Sequence, residues 1–453
     1  MKQLFSFLAI MMLLFSCRDD DFGNNNGTLQ PTAFKVEVKY DATYGSKNSK
    51  GATVVLTNNN SGDTYTETTD ANGFANFSSV IPGTYKVVVS KKILADEFYS
   101  TFGYAAPASE INFNGVQDNA TININVQSTV IELKSARVGD LLIKQIYYAG
   151  SHATQGAGVR DQFIEIYNNS NEVIYADGLY IAQLYGKTNT TVNTYSQANG
   201  QFDWSKSIGM TATGNSANTD YVYSDYITRI PGNGTQYPIY PGQSIVIAQN
   251  AVNHKSPLVD NNGSPINIQN PSLTVDLSQS EFEVYLGDFN LSIGETVFKT
   301  DIQNPAVKDV EIAFWGRPGY WNGNNDFIMD NPGRDSFVIF KANDFNVFPD
   351  YSDPSVTNVV AATKFYKQIP TNVIIDGVEL QHYNPNAQRP KMLNASIDAS
   401  FTRCDAAFNS QAVIRKTKTT IPAQGNIPAR IVLEDTNNSA NDFVIKNANP
   451  KGF

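Results

Sequence analysis

Three histidines, two cysteines and one aromatic-rich loop are the places where this chain of 453 residues could do chemistry. His152, His254 and His382 stand apart, each without another His, Cys or acid pair two to four residues away, so a zinc site is not supported. No G-x-S-x-G elbow is present, and no P-loop or G-x-G-x-x-G follows a strand. The stretches "DTNNSAND" and "VDNNGSP" lack the acid spacing of a calcium loop. His152, in "GSHATQGAG", reads as a solvated loop residue. Cys404, in "SFTRCDAAF", has no histidine near it and reads as a semi-buried small residue rather than a nucleophile. Glu165 in "FIEIY" is the acid most enclosed by apolar neighbours, and a strand residue pointing outward is expected there. No catalytic residue, cofactor or metal is expected. The remaining candidate is "FWGRPGYWNGNNDF", Phe314 to Phe327, which holds two of the three tryptophans. Its Gly, Pro and Asn content reads as a loop. Aromatic rings held there suit glycan stacking or a protein hot spot, or else plug the side of the fold as a small core. The expected contact residues are Trp315, Arg317, Tyr320 and Trp321, with Arg317 able to stack on a ring.

The elements that would position these groups begin with a leader. Leu4 to Phe15 is apolar apart from Ser6 and follows Lys2, which has the length and polarity of a signal peptide rather than a bilayer span. The border residues Leu14-Phe15-Ser16-Cys17 resemble a bacterial lipobox. That resemblance implies cleavage after residue 16 and acylation of Cys17. Asp19, Asp20 and Asp21 resemble the signal that carries Bacteroidota lipoproteins to the outer face of the outer membrane. Residues 17–31 then read as a flexible tether. With Cys17 acylated, Cys404 has no disulfide partner. The net charge of −10 argues against nucleic acid as a partner. Charged residues make up 17%, below the roughly 25% usual for soluble domains. Asn, Ser, Thr and Tyr fill the difference, which suits strands and turns.

An all-β fold in two parts is expected. In residues 32–132, "FKVEVKY" alternates as a half-buried strand, Asp70-Ala71-Asn72-Gly73 and Pro82-Gly83 are turns, and "ATININVQ" is read as the last strand. The stretch "KKILADEFYSTFGYAAPASE" is read as a loop insertion with a helical turn. The array T-D-x-x-G-x-x-x-F…P-G-x-Y-x-V resembles the carboxypeptidase regulatory-like domain, which implies a small transthyretin-like sandwich without catalytic residues. In residues 138–453, "DLLIKQIYYAG", "DQFIEIYNNS" and "YPGQSIVIAQ", with the closing "RIVLEDTNNSANDFVIKNANPKGF", resemble a lamin-tail domain, which implies an immunoglobulin-like sandwich. Gln145 replaces a usual Glu, and Leu179-Tyr180 stand where Trp is usual. One sandwich of this length requires insertions, placed at about 187–238 and 251–380 and expected to build an additional sheet.

The whole arrangement resembles an uncharacterised family of Bacteroidota surface lipoproteins whose genes accompany TonB-dependent receptors. The resemblance implies a non-enzymatic lipoprotein, anchored in the outer membrane by its N-terminal lipid and exposed at the cell surface. It would dock on or cap a TonB-dependent β-barrel receptor and aid capture of an unknown ligand. A lipid-anchored hydrolase of glycans or phosphoesters, and an adhesin or envelope-structural protein, are the alternatives.

Overall fold

The computed structural model describes residues 30–40, 44–102, 110–136, 141–170, 173–316, 329–342, 344–423 and 429–453. Cys17, Asp19, Asp20 and Asp21, and the loop residues Arg317, Tyr320 and Trp321, lie outside them. The fold is all-β.

Strand β1, Thr32–Tyr40, buries Phe34, Val36, Val38 and Tyr40 on one face, as its alternation dictates. It is followed by β2 (Thr53–Asn58), β3 (Thr64–Thr68), β4 (Phe74–Val80) and β5 (Gly83–Leu94). Helix α1 (Ala95–Phe102), β6 (Glu110–Ile122) and β7 (Ser128–Ala136) complete the first unit. The turn into β4 is local chemistry: Asp70 Oδ1 accepts the N–H groups of Asn72 and Phe74. Gly73 sits at φ +79°, where a Cβ would lie 2.7 Å from the Val38 carbonyl oxygen. All seven strands form one sheet in the order β3-β2-β5-β6-β7-β1-β4. The sheet curls until its edges β3 and β4 lie against each other, which shields both from edge pairing. β1 pairs antiparallel with β4 but parallel with β7.

Two sequence expectations change here. "ATININVQ" is not the last strand. Asn123 Oδ1 accepts the N–H groups of Asn125 and Val126, a side-chain turn that competes with the ladder. Ile124 is left 77% exposed, and the last strand is β7. The stretch after Ser90 is not a loop insertion either. β5 runs on to Leu94, and α1 lays Phe98 and Phe102, one helical turn apart, over the end of the core beside Tyr40 and Tyr44.

The second unit is built from strands β8 (Leu141–Tyr147), β9 (Phe163–Asn168), β10 (Tyr180–Leu184), β11 (Tyr221–Arg229) and β12 (Ser244–Ala248). They continue as β13 (Glu311–Trp315), β14 (Phe337–Phe340), β15 (Tyr366–Pro370), β16 (Ile374–Val378), β17 (Gln411–Arg415) and β18 (Phe443–Asn447). One sheet runs β12-β9-β8-β17-β18, extended beyond β12 by the short strands 282–283 and 308–309. The other runs β15-β11-β10-β14-β16, with the short strand 350–351 beyond β15 and with β13 also paired to β11. Their facing sides share one core: Ile143, Ile166, Ile247 and Val413 from the first, and Ile181, Tyr226, Phe337 and Val378 from the second. The stretches read as insertions therefore do not decorate a finished sandwich. They supply β11 and β13 to β16, nearly the whole second sheet. A sheet buried on one face needs another layer, and these strands provide it across long turn-rich connections.

The two units are docked. Asn112 Nδ2 and Asn114 Nδ2, on β6, donate to the carbonyls of Asp435 and Thr436 at 3.0 Å each. That loop is itself fixed from below by Arg415, buried at the end of β17. Its guanidinium lies 2.7 Å from Asp376, 3.3 Å from Asp435 and 3.5 Å from Asp442, and its Nε donates to the Ile143 carbonyl. Three carboxylates raise its pKa further and keep it charged despite burial.

Candidate functional site

At this joint the structure forms a cleft of about 270 Å³. Val116 and Asp118 of β6 face it from the first unit. Tyr221 and Tyr223 of β11 and Tyr185, just past β10, line it from the second, with the loops around Trp204 and Met392 closing the sides. Its aromatic floor is braced in pairs. Trp204 stacks on Tyr223 with centroids 3.6 Å apart and planes 8° apart, and Tyr185 stacks on Tyr366 at 3.9 Å. Trp204 is only 4% exposed. The Tyr223 hydroxyl donates to the Ala217 carbonyl and accepts from Gln368 Nε2.

The amides around the floor hold the loops. Gln201 Oε1 accepts the N–H groups of Lys187 and Phe202, and its Nε2 donates to the Pro390 carbonyl. Asn218 Oδ1 accepts the Trp204 N–H, and its Nδ2 donates to Asp203. Charge in the cleft is compensated. Lys391 Nζ donates to the carbonyls of Asp398 and Ser400, and Asp118 faces Lys86 at 4.0 Å. Gln197, Asn199 and Tyr221 stand at the rim, half-buried or exposed. A braced aromatic floor, an amide rim and no uncompensated charge suit a small neutral polar ligand.

Of the expected contact residues only Trp315 is among the described ones, and it does not line this cleft. Trp315 is the last residue of β13, paired with Tyr226 of β11, and is 4% exposed. Its ring packs edge-on against Tyr226 at 4.9 Å and against Phe289 at 5.2 Å. Of the two readings of this stretch, an open ring or a plug of the fold, Trp315 takes the second: strand pairing turns it into the core. The expectation for Glu165 is corrected. It points into a buried space, 2.9 Å from Lys144 Nζ, and accepts from Gln145, Ser244 and the Lys451 N–H. The C-terminal tail covers that face of the sheet, with the Phe453 ring 3.8 Å from Lys144 Nζ.

The other chemical groups are held in structural roles. Cys404 is 1% exposed, its thiol donates to the Gln411 carbonyl, and burial pushes its pKa up to about 12. His254 is buried against the Asn250 carbonyl, and burial pushes it down to about 4, so it stays neutral. His152 Nδ1 accepts the N–H groups of Thr154 and Gln155 and shapes its loop, beyond the solvated role expected. His382 Nδ1 does the same with the Asn384 N–H. Among the described residues no group of three His, Cys, Asp or Glu could hold a metal ion. Trp204 went unnoticed in the sequence, although "QFDWSKS" offered a tryptophan in a turn-rich setting like that of Trp315.

The family described as "Protein of unknown function (DUF4876)" matches residues 240–450. The similarity is to a family, and it names no activity. Across 91% of this chain and 95% of the other, the fold is similar to the crystal structure of a DUF4876 family protein from Bacteroides thetaiotaomicron, with 26% identity and a TM-score of 0.50. An adhesin candidate from Bacteroides ovatus aligns with 46% of this chain and 81% of its own, at 12% identity and a TM-score of 0.19. Fervidolysin from Fervidobacterium pennivorans, a keratinolytic enzyme related to subtilisin, aligns with 55% of this chain and 33% of its own, at 15% identity and a TM-score of 0.18. These last two likenesses carry no argument about this chain. No curated protein sequence matches it.

Proposed function

We propose that this chain is a non-catalytic capture protein of the outer cell surface, anchored through acylated Cys17 and working beside a TonB-dependent β-barrel receptor. The joint cleft carries this reading: a preformed polar and aromatic recess, built by both units and free of reactive groups. Buried titratable groups elsewhere in the chain support the same reading, because Cys404, His254, Glu165 and Arg415 are each engaged in holding the fold. The lipobox-like border and Asp19, Asp20 and Asp21 support display outside the cell, and similarity to a Bacteroides protein agrees with that setting.

The experiment is affinity purification of the full chain, tagged after Phe453, from membranes in mild detergent. An outer-membrane β-barrel should co-purify, and recovery of none overturns the partnership. The variant Cys17→Ala should leave the membrane fraction while keeping the same thermal melt. Unchanged membrane retention overturns the anchor.

A further inference from the structure

A second, smaller cavity of about 130 Å³ opens on the other side of Tyr185, which with Leu184 lines both. Trp315, Tyr226, Gln183, Asp225, Asp335 and Lys364 complete its wall. One of its polar groups is unmatched: the Trp315 Nε1–H, buried, has no hydrogen-bond partner among the described residues. The Asp335 carboxylate accepts from Gln183 Nε2. Asp225 accepts from no other described residue and faces Lys364 as its opposite charge. Burial pushes Asp335 up to about 7, with Asp330 and Asp225 pushing the same way. Arg389 acts on it in the opposite sense, and Asp330 is itself bridged to Arg334.

What would complement this wall follows from its groups. A cation would meet the indole N–H and Lys364. An anion would meet two carboxyl groups. A hydroxyl both accepts, from an indole N–H, and donates, to a carboxylate. Two adjacent hydroxyls on an apolar ring edge satisfy the donor and the acceptors together, and the rings of Tyr185, Tyr226 and Trp315 supply the apolar contact. We infer that this cavity binds the vicinal hydroxyls of a neutral sugar, with Trp315 donating through Nε1 and Asp225 and Asp335 accepting. Trp315 thus acts through its edge, not its face. The inference stands apart from the joint cleft and does not require it to be occupied.

The test titrates the full chain in detergent with methyl glycosides of glucose, galactose and mannose, by saturation-transfer NMR and calorimetry. At least one glycoside should bind saturably. Trp315→Phe, which keeps the packing, and Asp335→Ala should each weaken it by about tenfold or more, because each removes a hydrogen bond to a buried group. Tyr221→Ala, at the joint cleft, should leave this binding unchanged. Its loss of binding in that variant, with Trp315→Phe unaffected, would place the sugar in the cleft and overturn the inference. So would the absence of saturable binding, which means water alone fills the cavity, and so would saturable binding of calcium or spermidine in place of sugars. Release of free sugar from p-nitrophenyl glycosides, abolished by Asp335→Ala, would make the two carboxyls catalytic and overturn the binding role.

Discussion

Arg415, buried, and the Asp225–Asp335 pair, half-buried, are charged groups enclosed in the second unit, and they are built oppositely. Arg415 meets three carboxylates and two carbonyls, so its donors are engaged on every side. The two aspartates meet one amide and one exposed lysine, beside an indole N–H that has no hydrogen-bond partner among the described residues. The first arrangement is complete in itself and ties three segments together. The second is incomplete by its own chemistry. Burial alone does not mark a functional group; an unmet complement does.

The largest effect that would sharpen this contrast is at Arg415. Arg415→Met leaves three carboxylates around an uncharged side chain and should cost about 3–5 kcal/mol in urea unfolding. A loss below about 1 kcal/mol would mean that the cluster is no more self-sufficient than the aspartate pair. Next is Asp335→Asn. A carboxyl raised from about 4 to about 7 on folding binds its proton more tightly in the native chain. Its contribution is therefore full below pH 4 and lost as pH rises towards 7. The variant should match the wild type at pH 4 and exceed it by roughly 1–2 kcal/mol at pH 8, after allowance for partial solvent contact. Calorimetric melts across that range check it, and parallel curves would break the contrast.

The joint comes third. Asn112→Ala with Asn114→Ala removes two hydrogen bonds to the 435–436 loop and should cost about 1–2 kcal/mol, read as faster amide exchange in that loop. Protection equal to that of the wild type would show that the Arg415 cluster holds the loop unaided. The smallest effect belongs to Trp315→Phe. It deletes a donor that has no hydrogen-bond partner among the described residues, so stability should change by less than about 1 kcal/mol. A larger loss in thermal melts would reveal a hydrogen bond and close the gap between the two arrangements.

The residues show why only part of this was legible. The Asp70–Gly73 turn and the Phe34-to-Tyr40 alternation are written in consecutive residues, and each fixes its own neighbourhood. Glu165 alternates equally clearly, but its partner Lys144 lies on another strand and its roof is the C-terminal tail. No local pattern announces a strand covered on both faces. Arg415 gathers Asp376 from β16 and Asp435 and Asp442 from the loop before β18, a set defined only once the sheets stack. For Trp315 the sequence left an open ring and a core plug undecided because the Gly and Pro residues after it dominate the window, whereas its fate was decided by pairing with Tyr226, far back in the chain. The additional sheet expected of the insertions was not recognised as half of the sandwich itself, for the same reason. Its strands are short, and the long turn-rich connections dilute their period.

The parallel pairing of β1 with β7 has a mechanical consequence. Because the two strands run the same way, the chain enters the first unit at one end and leaves it at the other. A nine-residue strand spans about 30 Å, so the chain leaves β7 about that far from where it enters β1. A pull between the two ends of this unit, as the proposed anchor and load would exert, would draw β1 and β7 past each other along their length. The six paired positions from Lys35 with Ser128 to Tyr40 with Leu133 would then bear the shear together, where an antiparallel hairpin would unzip one bond at a time.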